Sequence, residues 1–269
     1  MNERTSLAVK CVNQTVRVVS GPNDPFWQLV SAGVWEPQTY AAFRQFIDAE
    51  HSYIDMGSWI GPTLLYGCRL AKAAYGIEPD PIAFNELENN LALNPRIATN
   101  VKIFNICIAP SSGEVAFGSC SAGGDSTSSL LFAAEKTTWT VGALTFADFI
   151  QQNEIKDCNF VKMDIEGGEF IVLPTMLEYL RRYRPTLHLS LHPCFVYPAF
   201  FEDRSGINVI WRAARVFVSF CITANLLRHL MFYRYLYDDH GHRLTFIQLL
   251  RICRRTLTIV ATDSAWTSH

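Results

Sequence analysis

"FVKMDIEGGEFIVL", residues 160–173, decides how the rest of the chain is read. Phe160, Val161, Met163 and Ile165 have the character of a strand entering a core. Lys162, Asp164 and Glu166 nevertheless fall at every second position, and Glu169 follows two glycines. Side chains alternate faces along a strand, so in a regular strand the three charges share one side. Burying them is costly unless each is paired or solvated. Glu166 pairing with Lys162 across one strand repeat would meet part of that cost. Glu169 opens the next helix, expected to reach about Arg182, where the helix dipole favours a carboxylate. A charged end on an apolar strand points to a site.

Outward from this stretch the chain alternates β-rich runs with helical ones, the pattern of a parallel sheet with crossover helices. HSYIDM (51–56) reads as the first sheet strand, followed by a glycine turn and a helix from Pro62 to about Ala74. AYGIE ends a second strand at Glu78. Asp80 then has the character of an N-cap, with Pro81 in the first helical position, and that helix stops near Asn94-Pro95. VKIFNICIA (101–109) reads as a third strand, EVAF as another, and FADFIQQ (146–152) as a helix. PTLHLSLHP (185–193) follows as a strand, 207–231 as a helix, FYRYLYDDHGHRL as a strand and turn, TFIQLLRICRR as a helix, and TLTIVATD as the last strand. These sum to about seven sheet strands in a doubly wound arrangement. Residues 1–50 are expected to form an extension of a short edge strand (VRVVS) and a helix (WEPQTYAAFRQFI) packing on a core of residues 51–269. SAGGDSTSS is a loop too polar for a core; a mobile site wall and a disordered surface loop are both open readings.

The totals narrow the function classes. The 269 residues are 49% hydrophobic and 18% charged with a net charge of -2, so no global field draws nucleic acid or an anionic membrane. Eight cysteines are scattered without a CxxC pair, which suits a reducing, cytoplasmic setting and no structural zinc. The N-terminal MNERTSLAVK lacks the apolar run of a signal peptide. Residues 207–227 are long and apolar, but Arg212 and Arg215 break them, and a core helix with snorkelling arginines is the expectation.

Open parallel sheets bind ligands beyond the carboxyl ends of their strands. The first such turn is Asp55-Met56-Gly57-Ser58-Trp59-Ile60-Gly61, and Glu78-Pro79 ends the second strand where an acidic residue meets ribose hydroxyls in such folds. The turn is not GxGxxG, because a tryptophan occupies position 59. An acidic residue followed by GxxxG with a bulky middle suits a ligand without phosphate, such as S-adenosylmethionine. A nonspecific glycine turn is the bland alternative.

YIDMGSWIG, GIEPDP, KMDIEGGEF and PTLHLSLHP together resemble the FkbM-type family of S-adenosylmethionine-dependent methyltransferases, over roughly Trp35 to Asp263. KMDIEGGE is the most specific element. Trp59 and Ser190 depart from the family's usual Asn and Glu. The resemblance implies a class I methyltransferase fold, a Rossmann-like three-layer sandwich whose seven-stranded, mostly parallel sheet has an antiparallel last strand. It implies that Asp55, Gly57 and Gly61, with Ser58 in the same turn, cradle the methionine part of S-adenosylmethionine. Glu78, next to Pro79, would hold the ribose, Ile106 or Cys107 would flank adenine, and Glu36 and Thr39 would close over the cofactor. S-adenosylhomocysteine would be the product.

Asp164 would then face the transferred methyl. A hydroxyl acceptor benefits from a base within hydrogen-bond reach. His192, with an ordinary pKa near neutrality, is the first choice as base, with Asp164 orienting the hydroxyl; the reverse is open. His192 as a strand cap and His188 as a structural residue are the bland readings. Asp164, His192 and Glu166 could instead hold a divalent cation, although their spacing is no dedicated metal signature. The expected activity is O-methylation of a sugar, glycan or other small molecule, with Trp35, Trp59, Phe195 and Tyr197 available to stack on a ring. A nicotinamide-dependent oxidoreductase and a noncatalytic binding domain are the alternatives.

Overall fold

A computed structural model describes residues 5–119, 123–124, 129–130, 137–193, 209–245 and 257–267. In chain order it runs β1 (Ser6–Cys11), β2 (Gln14–Val19), α1 (Asp24–Ser31), α2 (Pro37–Phe46), β3 (Ser52–Met56), α3 (Pro62–Gly67), β4 (Ala73–Ile77) and α4 (Pro81–Ala92). It continues with β5 (Val101–Phe104), β6 (Ile106–Ile108), β7 (Gly113–Ser119), β8 (Thr137–Leu144), α5 (Phe146–Gln152) and β9 (Cys158–Met163). The last elements are α6 (Glu169–Tyr183), β10 (Thr186–Leu191), α7 (Val209–Arg228), β11 (Tyr235–Asp238) and β12 (Leu257–Thr262).

The main sheet has seven strands in the order β11-β12-β10-β9-β3-β4-β5. β12 runs antiparallel to both neighbours, while β10, β9, β3, β4 and β5 are mutually parallel. This is the expected doubly wound sheet with an antiparallel last strand, the class I methyltransferase architecture. Alternation along the strands builds two cores. Ile54, Met56, Val161 and Met163 pack with Phe149, Leu173 and Leu226 of α5, α6 and α7. Tyr53 and Phe160 pack with Phe43, Leu64 and Leu87 of α2, α3 and α4. The sheet is thus the middle of three layers.

Several elements end where local chemistry ends them. Asp80 caps α4 by accepting from the Ile82 and Ala83 amides, and Thr145 caps α5 through the Asp148 amide. The helix expected from Pro62 to about Ala74 stops at Gly67 instead. Asn100 Nδ2 donates to the carbonyls of Cys68, Ala71 and Lys72, satisfying the unwound backbone that leads into β4. The expected strand 101–109 breaks at Asn105, whose Nδ2 donates to the Glu78 and Pro79 carbonyls. Its second half, β6, leaves the main sheet to pair with β8 in a three-stranded sheet with β7. VRVVS is not an edge of the main sheet: it belongs to β2, which forms a separate hairpin with β1. Among the described residues no helix is long and apolar enough to cross a membrane. All of TFIQLLRICRR but its first residue, Phe195, Tyr197 and most of SAGGDSTSS lie outside the described residues.

Candidate functional site

β9 ends at Met163, and the chain turns there, with Glu166 at φ 51° and Gly167 at φ 92°. The strict alternation expected through Glu166 therefore fails, and the charges part company. Lys162 stays in the strand, directly between Asp55 on β3 and His188 on β10 in the parallel register. Its Nζ is 3.2 Å from Asp55 Oδ1 and 3.7 Å from Asp164 Oδ2, and donates to the Gly57 carbonyl at 3.1 Å. Burial alone would lower the Lys162 pKa, but Asp55, Asp164 and Glu36 outweigh it and raise it. Glu166 turns instead to His192, 3.7 Å away, so the expected Lys162–Glu166 pair does not form.

His192 follows β10 and gathers three carboxylates. Its Nδ1 lies 3.1 Å from Glu169 Oε1, and its Nε2 lies 3.8 Å from Asp164 Oδ1 and 3.7 Å from Glu166 Oε2. Burial pulls the His192 pKa down, but the Glu169 hydrogen bond and the surrounding negative charge carry it up to about 9. The imidazole is thus charged at neutral pH in this state, and the expectation that its ordinary pKa suits it as base loses its ground. Glu169 is fully buried, its oxygens accepting from the Ile165 and Gly167 amides. Burial lifts the Glu166 carboxyl to about 7, with Asp164 adding to the rise and His192 opposing it.

Two cavities open at the carboxyl ends of these strands. One, about 570 Å³, is lined by Gly57, Trp59, Glu78, Pro79, Cys107 and Asp164, among others. The other, about 760 Å³, is lined by Phe26, Trp35, Glu36, Lys162, Ser190 and His192, among others. Gly57, Trp59, Asp164 and Glu166 border both. The first has mostly apolar walls, with Glu78 as a buried acid among them. Glu78 accepts from the Trp59 and Asp80 amides at 2.8 Å, and burial raises its carboxyl to about 7.

The cofactor candidates divide. Gly57, Glu78, Pro79 and Cys107 border the first cavity, and Ser58 and Glu36 the second. Glu36 accepts from the Thr39 hydroxyl; burial and then Asp164 raise its carboxyl. Asp55, expected to cradle the methionine part, is fully buried and internal. One of its oxygens accepts from Tyr53 and Thr63, and the other faces Lys162. Gly61, expected against the ligand, instead abuts Leu87, and a Cβ there would meet it at 2.7 Å. Of Ile106 and Cys107, Cys107 reaches the cleft. The sequence reading left Lys162 and Glu169 out of the site, although both stand in the KMDIEGGE string that could have marked them.

A family model described as "Methyltransferase FkbM domain" matches residues 55–243, more than half of the chain. The chain belongs to the FkbM methyltransferase family. S-adenosylmethionine is accordingly its cofactor, which sets aside a nicotinamide. No curated protein sequence matches it closely. Among solved structures it is similar to Methyltransferase FkbM from Methylobacillus flagellatus, at 16% identity and a TM-score of 0.46, over 88% of this chain and 55% of that one. It therefore spans about half the length of that relative. It is also similar to precorrin-6y C5,15-methyltransferase from Geobacter metallireducens, at 11% identity, 87% of each chain and a TM-score of 0.40. A third is the S-adenosylhomocysteine-bound methyltransferase PaMTH1 from Podospora anserina, at 9% identity, 87% of this chain, 79% of that one and a TM-score of 0.42. Superpositions this loose carry no argument about chemistry; membership rests on the family model.

Proposed function

We propose that the protein transfers the methyl group of S-adenosylmethionine to a hydroxyl oxygen of a sugar or other small polar acceptor. The observation that carries this reading is the junction of the two cavities. The buried Glu78 lines the apolar one alone, whereas the acidic Asp164 and Glu166 line both it and the polar one. In this reading the adenosine part lies in the first cavity with its ribose hydroxyls on Glu78, Pro79 beside it and Cys107 against adenine. The methionine part crosses Gly57 and Ser58 toward Glu36, which Thr39 steadies. Asp55, through Lys162, and Gly61, through its packing on α4, shape the turn rather than touch the ligand.

Methyl transfer needs an in-line approach of oxygen, methyl carbon and sulfur. The new O–C bond forms as the C–S bond breaks, and S-adenosylhomocysteine leaves as a neutral thioether. The sulfonium supplies the leaving group, so the protein has to align the partners and accept one proton. Asp164 borders both cavities and is suited to hold the acceptor hydroxyl. Glu166, with a carboxyl near neutrality, has a proton affinity matched to receiving its hydrogen. His192 stays charged and fixes both carboxylates. Trp35 and Trp59, with Ser190 and Thr258, give the second cavity an aromatic wall and hydroxyls that suit a sugar ring.

The test is thermal unfolding with S-adenosylhomocysteine, with NAD as control, followed by labelled methyl transfer to a panel of sugars. Ligand at a hundred times its Kd adds about 2.7 kcal/mol, on the order of 5–10 °C for a chain of this size. A shift with the homocysteine compound alone, and transfer lost in Asp164→Asn while the shift persists, are the expected results. No shift, or one with NAD, would sink the reading.

A further inference from the structure

Among the described residues that line the second cavity, Glu36, Asp164 and Glu166 face Lys162 and His192, and the buried Asp55 and Glu169 lie directly behind those two bases. Lys162 is already committed to Asp55 and Asp164. Within this crowd Asp164, Glu166 and His192 stand out geometrically: each offers one donor atom, and those atoms lie within 4.8 Å of one another. Donors about 2.1 Å from a common ion stand about 3 Å apart at right angles and about 4.2 Å apart when opposed. Shifts of a few tenths of an ångström would bring the three atoms onto one ion.

A second observation lies outside that triad. Glu169 is fully buried, is fixed by two backbone amides, and faces His192 Nδ1 at 3.1 Å. A carboxylate holding the far ring nitrogen is the usual outer partner of a metal-bound histidine, because it sets the tautomer and aims the other nitrogen. Here the nitrogen so aimed is Nε2, which faces Asp164 and Glu166. A patch of acids on a surface has no such support; this one is built.

We infer that Asp164, Glu166 and His192 form a divalent-cation site at the junction of the two cavities. Two carboxylates and one imidazole suit a hard to borderline ion of the Mg2+ or Mn2+ class. In its consequence for chemistry the inference rests on the proposed methyl transfer. An ion there would displace the proton that His192 otherwise carries, bind the acceptor oxygen as a Lewis acid and hold it toward the methyl group, and with Glu166 on the ion the hydroxyl proton would leave to solvent. No oxidation state changes.

The experiment is a Mn2+ titration of the whole chain, without cofactor or acceptor, followed by the loss of the free-ion electron paramagnetic resonance signal. One ion per chain is expected, displaced by excess Mg2+. Binding should weaken at least tenfold in the near-isosteric Glu166→Gln and in His192→Gln. Asp239→Asn, at an exposed turn away from the cavities, should leave it unchanged. Circular dichroism and unfolding of each variant confirm that it is folded. A wild-type chain that retains no ion overturns the site, as does equal retention by all variants. S-adenosylhomocysteine binding measured in parallel separates the claims. Homocysteine compound bound without Mn2+ overturns the ion and spares the methyltransferase reading; Mn2+ bound without it supports the ion and removes that reading.

Discussion

Lys162 has almost no contact with water, yet its charge is answered at 3.2 Å by Asp55, which has none either. Removing one member of a buried pair leaves the other charged and desolvated, which costs about 3–5 kcal/mol. Lys162→Met should therefore lower unfolding stability in urea by that amount, and Asp55→Asn in the same chain should recover part of it. Additive losses would mean the two charges are not coupled. Glu78 is the opposite case, a buried acid held by two amides rather than by a cation. Its carboxyl is raised to about 7, above its usual value near 4.5. The folded state thus holds a proton that the unfolded state releases, so stability falls as pH rises from about 4.5 to about 7, by about 3 kcal/mol, and is flat above. In the proposed site the ribose hydroxyls would donate to the ionised form, so S-adenosylhomocysteine should bind about tenfold more tightly at pH 8 than at pH 6. Glu78→Gln should bind weakly at both. A wild-type affinity that does not change with pH would show that Glu78 does not titrate on binding.

At the scale of elements, what the sequence made legible was local. Caps and breakers act over a few residues, so Asp80-Pro81 announced its helix. β8 was missed because TTWTVGAL reads as a strand only in company with β6 and β7, and that company is set by the tertiary fold. The Lys162–Glu166 pairing was misjudged because alternation was carried one turn too far, past the end of β9 into residues at positive φ. Glu169 was explained by the helix dipole, whereas the fold gives it His192, from the far end of the next strand. Close backbone approach makes its own demand at the glycine turn. Gly57 has φ +81°, and a Cβ on it would lie 1.9 Å from the Asp164 carbonyl oxygen. The turn after β3 and the end of β9 touch backbone to backbone there, which fixes where the glycine turn stands relative to Asp164. Gly57→Ala should therefore displace both and cost more than about 3 kcal/mol, since strain at positive φ and a backbone clash add. Loss of S-adenosylhomocysteine binding in a chain that still unfolds cooperatively would place the damage at the turn; a variant as stable and as tight as wild type would refute the contact.

For the molecule as a whole, a doubly wound sheet could be expected from alternating strands and helices, and its antiparallel last strand from the resemblance, but neither the strand order nor the place of residues 1–50 could. The sequence suggested an extension laid on a finished core. The packing is more intimate. Val9 and Val18 of the hairpin, Trp27 of α1 and Phe43 of α2 are at most 1% exposed, and they share one cluster with Leu64, Leu87, Phe160 and Val260. Asn90 of α4 and Asn94, just past its end, accept from the Val19 and Arg17 amides of β2, tying the hairpin to that helix. Each large apolar side chain returned to water costs about 1.5–3 kcal/mol, and deleting the segment also uncovers its partners on α3 and α4. For Val9, Val18, Trp27 and Phe43 that is about 6–12 kcal/mol, the same size as the ~5–15 kcal/mol that separates folded from unfolded chains of ordinary stability. Residues 1–50 should therefore fold with the sheet as one unit. The whole chain should unfold in a single transition, with tryptophan fluorescence and far-ultraviolet dichroism sharing one midpoint. A chain cut to residues 51–269 should lose its cooperative transition and bind a hydrophobic dye. Should the cut chain instead unfold cooperatively and bind S-adenosylhomocysteine, the segment is separable, and Phe26, Trp35 and Glu36, which it contributes to the second cavity, are additions to a cofactor site that stands without them.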